Sequence, residues 1–74
     1  VDFLIGNSLA IEVKGSQQIA DKHLKGLRAL KEEQLIKNYA VVSLDANLRI
    51  TKDGISIYPW QVFLERLWQG RLIF

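Results

Sequence analysis

The chain has 74 residues, of which 10 are basic and 8 acidic, with one histidine, no cysteine and an apolar content of 49%. A chain this short buries only about 60–65% of the surface it exposes when unfolded, which limits it to one domain, and a mean hydropathy of +0.05 argues against disorder. The absence of cysteine excludes a disulfide framework and a thiolate zinc site, and a net charge of +2 does not by itself imply nucleic acid. No apolar run approaches the ~18 residues that span a bilayer and no basic leader is present, so the expectation is a cytoplasmic chain without a membrane segment.

Residues 1–5 and 9–14 are short aliphatic runs flanking Gly6-Asn7-Ser8, the pattern of a β-hairpin. Residues paired across an antiparallel ladder share a face, so the register follows from the side chains. A two-residue turn would set Phe3 against Glu12, mixing apolar and charged groups. A three-residue loop sets Ile5 against Leu9, Phe3 against Ile11 and Val1 against Val13 on one face, with Leu4 beside Ala10 and Asp2 beside Glu12 on the other.

Residues 19–36 then carry Ala20, Leu24, Leu27 and Leu30 at helical spacing opposite Lys22, Lys25, Arg28 and Glu32, which predicts an amphipathic helix. Asp21 reads as its N-cap or an early-turn acid, Asn38 as its exit, and Gly26 as a close approach to the sheet. Residues 39–44 form a continuous apolar run, the signature of a strand covered on both faces, which a right-handed crossover makes parallel to the strand of Glu12. A small hairpin about Lys52-Asp53-Gly54 joins residues 48–51 to 55–58. Pro59 then opens a helix through Trp60, Phe63, Leu64, Leu67 and Trp68, stopped by Gly70.

The chemistry concentrates in the first hairpin. Residues i and i+2 of a strand share a face, so Glu12 and Lys14 lie together and the register adds Asp2. Two adjacent carboxylates repel unless a cation sits between them, and an all-oxygen site suits Mg²⁺ or Mn²⁺. Asp2 and Glu12 are therefore the expected metal ligands, with the Val13 carbonyl as a further one. The metal would activate water toward a phosphodiester, and Lys14 would orient that water or stabilise the developing negative charge.

Other polar features read as structure. Gln17 and Gln18 belong to the loop after a strand, and Lys22, Lys25 and Arg28 are interleaved with acids as on a solvated face. His23 sits at the edge of the apolar stripe, and Trp60 and Trp68 share the helical spacing of core or interface residues.

An acid on one strand and Glu12-Val13-Lys14 on the next resemble the PD-(D/E)xK nuclease superfamily, whose elements follow the same order of hairpin, crossover helix and buried strand. More specifically, Val1-Asp2-Phe3-Leu4-Ile5, Leu9-Ala10-Ile11-Glu12-Val13-Lys14-Gly15-Ser16, Leu24-Lys25-Gly26-Leu27-Arg28-Ala29-Leu30 and residues 55–63 with Pro59-Trp60 resemble the C-terminal nuclease-like domains of bacterial and archaeal P-loop ATPases of the AAA+ type. The resemblance implies an α/β fold with a three-layer restriction-endonuclease-like core and a mixed sheet. It also implies that residues 1–74 are one nuclease-like domain from the C-terminal part of a longer ATPase, with ATP bound only in an upstream module. Asp2, Glu12 and Lys14 become the catalytic set, Mg²⁺ or Mn²⁺ the cofactor, and DNA or RNA the substrate. Two other readings of the chain are a non-catalytic interaction or regulatory domain of the ATPase and a nucleic-acid-binding module. The first strand's open edge and the aromatic last helix predict a homo-oligomer or swapped dimer.

Overall fold

In the computed structural model, residues 2–71 are described. Strands β1 (Phe3–Ile5) and β2 (Leu9–Val13) are followed by a 3-10 turn (Asp21–Leu24) running into helix α1 (Lys25–Glu32). Strands β3 (Asn38–Ser43), β4 (Arg49–Ile50) and β5 (Ile55–Pro59) come next, then helix α2 (Trp60–Trp68). The strands form one sheet in the order β1-β2-β3-β5-β4. β2, β3 and β5 run parallel, and each edge strand is antiparallel to its neighbour.

The first hairpin takes the expected register, with Phe3 opposite Ile11, Leu4 opposite Ala10 and Ile5 opposite Leu9. The expected partnership of Val1 with Val13 lies outside the described residues. β3 is buried from Tyr39 to Ser43 and β5 along its whole length, as a continuous apolar run covered on both faces requires. On one face Ala10, Tyr39, Val41, Ile55 and Ile57 pack under Ile19, Leu24 and Leu27. On the other, Leu9, Ile11, Ala40, Val42 and Tyr58 pack under Phe63 of α2. The Tyr58 and Phe63 rings meet edge-on at 5.8 Å. The result is a helix, sheet, helix arrangement of mixed α/β class.

The central helix is shorter than the 19–36 periodicity predicts. Ile19 is buried but precedes the helical turn, because Asp45 and Arg49 take up its backbone N–H and carbonyl. At the other end Glu33 and Gln34 donate three residues back, to Leu30 and Lys31, and Gln34 turns left-handed at φ 57°. The chain therefore leaves the helix before Asn38, which begins β3, and Ile36 packs against the core from a connecting segment. Asp21 is an early-turn acid with no capping hydrogen bond from its side chain, and it pairs instead with Arg28 at 3.2 Å.

The second hairpin closes on Gly54 at φ 86°, with Thr51 Oγ1 accepting from the Ile55 N–H at 3.0 Å. Pro59 ends β5 and stands at the N-cap of α2, which begins at Trp60, one residue later than expected. Gly70, at φ 71°, terminates that helix. Its N–H reaches the Leu67 carbonyl at 3.1 Å and the Arg71 N–H reaches Arg66 at 2.7 Å, which together make a Schellman stop. Among the described residues no helix is long and apolar enough to cross a membrane.

Candidate active site

Asp2 lies one residue before β1, Glu12 is the fourth residue of β2, and Lys14 directly follows that strand. The hairpin register carries Asp2 to the level of Glu12, and two backbone contacts fix it there. The Asp2 N–H donates to the Ile11 carbonyl at 3.0 Å, and the Val13 N–H donates to Asp2 Oδ2 at 2.7 Å. Lys14 is held in turn by its own N–H on the Val42 carbonyl at 2.9 Å, which extends the β2–β3 ladder by one step.

These side chains share the face covered by α1. Gly26, in the first turn of α1, stands over Glu12, and a methyl group at Gly26 would lie 3.6 Å from Glu12 Oε1. The close approach expected of Gly26 is therefore made to the candidate site itself. Glu12 and Lys14 are half-buried and Asp2 is exposed. The Val13 N–H holds the Asp2 carboxyl below the ordinary range of such groups against the opposing effect of burial, with smaller help from a hydrogen-bonding contact with Glu12 and the charge of Lys14. Asp2 is thus kept ionised beside a second carboxyl group, an arrangement that favours either a shared proton or a shared cation.

Val13 itself points the other way. Its side chain is half-exposed on the α2 face, and its N–H serves Asp2. Asp2 and Glu12 supply the charged oxygen donors, and among the described residues no group of three or more His, Asp or Glu side chains gathers at metal-binding spacing. A hard cation held by one or two carboxylates completes its shell with waters and substrate oxygens, so a pair remains compatible with Mg²⁺.

The carboxyl ends of β2 and β3 hold further polar groups. Ser16 Oγ lies 3.4 Å from His23 Nε2, while His23 Nδ1 accepts from the Ala20 N–H at 2.8 Å. That bond assigns the proton of a neutral imidazole to Nε2, so His23 faces Ser16 as a donor and not as a base. The boundary position expected of His23 agrees with its half-buried state.

Asp45, which sequence reasoning passed over, is 7% exposed. It accepts from the backbone N–H groups of Asn47 at 3.1 Å and Ile19 at 3.3 Å, and from Arg49 at 3.3 Å. These contacts, the Asn47 N–H foremost, hold its carboxyl below the ordinary range. Its signal in the sequence was Asp45-Ala46-Asn47, the spacing of an Asx turn. The role is structural, since Arg49 and Asp45 tie the segment before α1 to the end of β3.

On the outer side of α1, Arg28 is committed to Asp53 at 2.8 Å and Asp21 at 3.2 Å, and Lys31 to the Asp53 carbonyl and the Tyr39 ring. Lys22 and Lys25 remain exposed. No protein-family model, curated protein or solved structure matches the chain.

Proposed function

We propose that the chain is a nuclease-like domain with a restriction-endonuclease-like core, in which Asp2, Glu12 and Lys14 hydrolyse phosphodiester bonds of DNA or RNA, and that it works alongside an upstream ATPase module. The observation that carries this reading is the placement of Asp2 beside Glu12 by the Val13 N–H, on the same face as Lys14, in a hairpin that leads through a crossover helix to a buried parallel strand. Asp2 and Glu12 would hold Mg²⁺ or Mn²⁺, which supplies an activated water and charge stabilisation when bound. The chain's own contribution is orientation. The Val13 N–H fixes one oxygen of Asp2, Gly26 stands over Glu12, and Lys14 provides a cation for the charge that develops on the phosphate.

The test is a titration of the protein with Mn²⁺ and Mg²⁺, read by carboxylate chemical shifts and calorimetry. A site in the millimolar range or tighter that Glu12→Ala abolishes is expected, together with cleavage of single- or double-stranded DNA or RNA that is lost in Lys14→Ala. Absence of binding at millimolar metal removes the catalytic reading. One observation favours the alternative of an interaction domain, namely the apolar trough on the opposite face, lined by Phe3, Ile5, Val13, Trp60, Leu64 and Leu67. That alternative requires assembly to be unaffected by Glu12→Ala.

A further inference from the structure

The α2 face is unfinished. Of the apolar residues along α2, Phe63 is buried, whereas Trp60, Leu64, Leu67 and Trp68 are 44%, 49%, 51% and 93% exposed. Beside the helix, Phe3, Ile5 and Val13 form the floor of a trough of about 400 Å³ that is open to solvent. A helix that is apolar on its outward flank as well as its inward one has a second surface to cover.

The pattern on that flank identifies what covers it. Trp60, Leu64 and Trp68 stand at i, i+4 and i+8, one ridge of an α-helix, and the ridge reads the same in both directions about Leu64. In an isologous two-fold contact each pairing of residue i with residue j recurs as j with i, so a ridge that reads the same about its centre sets like against like along the whole contact. We infer that two copies of this chain associate through antiparallel α2 helices, with Leu64 against Leu64 on the axis and Trp60 of each copy against Trp68 of the other. The two helices then lie side by side in one layer between the two sheets. In that layer the second copy's Trp68, about 140° around the helix from its own Phe63, turns toward the trough floor of Phe3, Ile5 and Val13.

Magnitude supports a second copy as the occupant. Phe3, Ile5, Val13, Trp60, Leu64, Leu67 and Trp68 are each 44–93% exposed, and together present several hundred Å² of apolar surface, the scale of the roughly 800 Å² that each partner buries in a stable interface of standard size. Aromatic anchors at the centre of a contact are also where binding energy concentrates.

Sedimentation of the chain from about 1 µM to about 1 mM should show a monomer–dimer equilibrium. Trp68→Lys, at a side chain too exposed to disturb the fold, should weaken the dimer by at least about 30-fold with an unchanged circular dichroism spectrum. The chain has no cysteine, so Leu64→Cys provides a single thiol on the axis and should cross-link into a covalent dimer on oxidation. Leu4→Cys, on the edge strand β1, should not. A monomer throughout the concentration range overturns the inference, as does a dimer indifferent to Trp68→Lys. Preferential cross-linking of Leu4→Cys overturns it in favour of edge-strand pairing.

Discussion

On the α1 side of the sheet, Ala10, Val41 and Ile57 are sealed beneath Leu24 and Leu27, whereas on the α2 side Phe3, Ile5 and Val13 lie half-exposed beside a helix that buries Phe63. The sealed side carries charged groups at the rim, of which Asp2, Arg28, Asp45 and Asp53 are tied to a backbone group or an opposite charge. The trough on the open side is lined almost wholly by hydrocarbon. A sheet this small cannot cover both faces with two short helices, and the division shows where each kind of work is done. Ionised groups need fixed partners and gather where the fold is closed, while surface that binds another molecule has to be left outside the fold.

The largest test of this contrast is in the core. Leu27, fully buried on the α1 side, should lose about 2–5 kcal/mol of stability when replaced by alanine, whereas Leu64→Ala in dilute monomer should lose less than about 1 kcal/mol. Urea denaturation measures both, and equal losses would dissolve the distinction between the two sides. Asp45→Ala comes next, because it strands the Ile19 and Asn47 N–H groups and removes the carboxylate partner of Arg49. It should lower Tm by several degrees and speed amide exchange at Ile19.

Tyr39→Phe should go the other way. Among the described residues the Tyr39 hydroxyl is buried without a partner, so its removal should leave stability unchanged or raise it by about 1 kcal/mol; a clear loss would reveal a partner for that hydroxyl.

Acid sensitivity sharpens the picture of the charged rim. Hydrogen bonds from the Thr51 hydroxyl and Arg28 lower the Asp53 carboxyl from 3.8 to about 2. A folded-state value below the unfolded one means that the stabilisation is intact above about pH 4 and is lost as pH falls toward 2, and Asp2 and Asp45 shift in the same direction. Melting curves from pH 5 to pH 2 should therefore show a decline that Asp53→Asn reduces, and an identical decline in that variant would remove Asp53 from the account. The smallest effect belongs to Gly26→Ala. Alanine adds up to about 1 kcal/mol of helix propensity and reaches Glu12 at ordinary contact distance, so stability should rise slightly while Mn²⁺ affinity stays within a few fold.

Much of the sheet was legible in the sequence because strand alternation is strict. Once Phe3 was set against Ile11, the positions of Asp2, Glu12 and Val13 followed with no further information. The run of residues 39–44 announced a strand buried on both faces for the same reason. Helix limits were less legible, since the periodicity of residues 19–36 cannot show that Asp45 and Arg49, about 30 positions further on, would claim the backbone of Ile19, nor that Gln34 would turn left-handed. Asp45 was missed because its partners are main-chain groups brought to it by tertiary structure. The face of Trp60 and Trp68 was read as packing surface, but spacing alone could not say that their packing partner would lie outside the fold.

Val13 joins the two sides. Its side chain is part of the trough floor, while its N–H holds Asp2 Oδ2 at 2.7 Å on the other side of the strand. A molecule pressing on the trough therefore pushes on a peptide unit that also positions a candidate metal ligand, with one hydrogen bond as the whole length of the transmission line. Assembly and chemistry in this chain are separated by the thickness of a single strand, and the Val13 amide resonance is the place to listen for one reporting on the other.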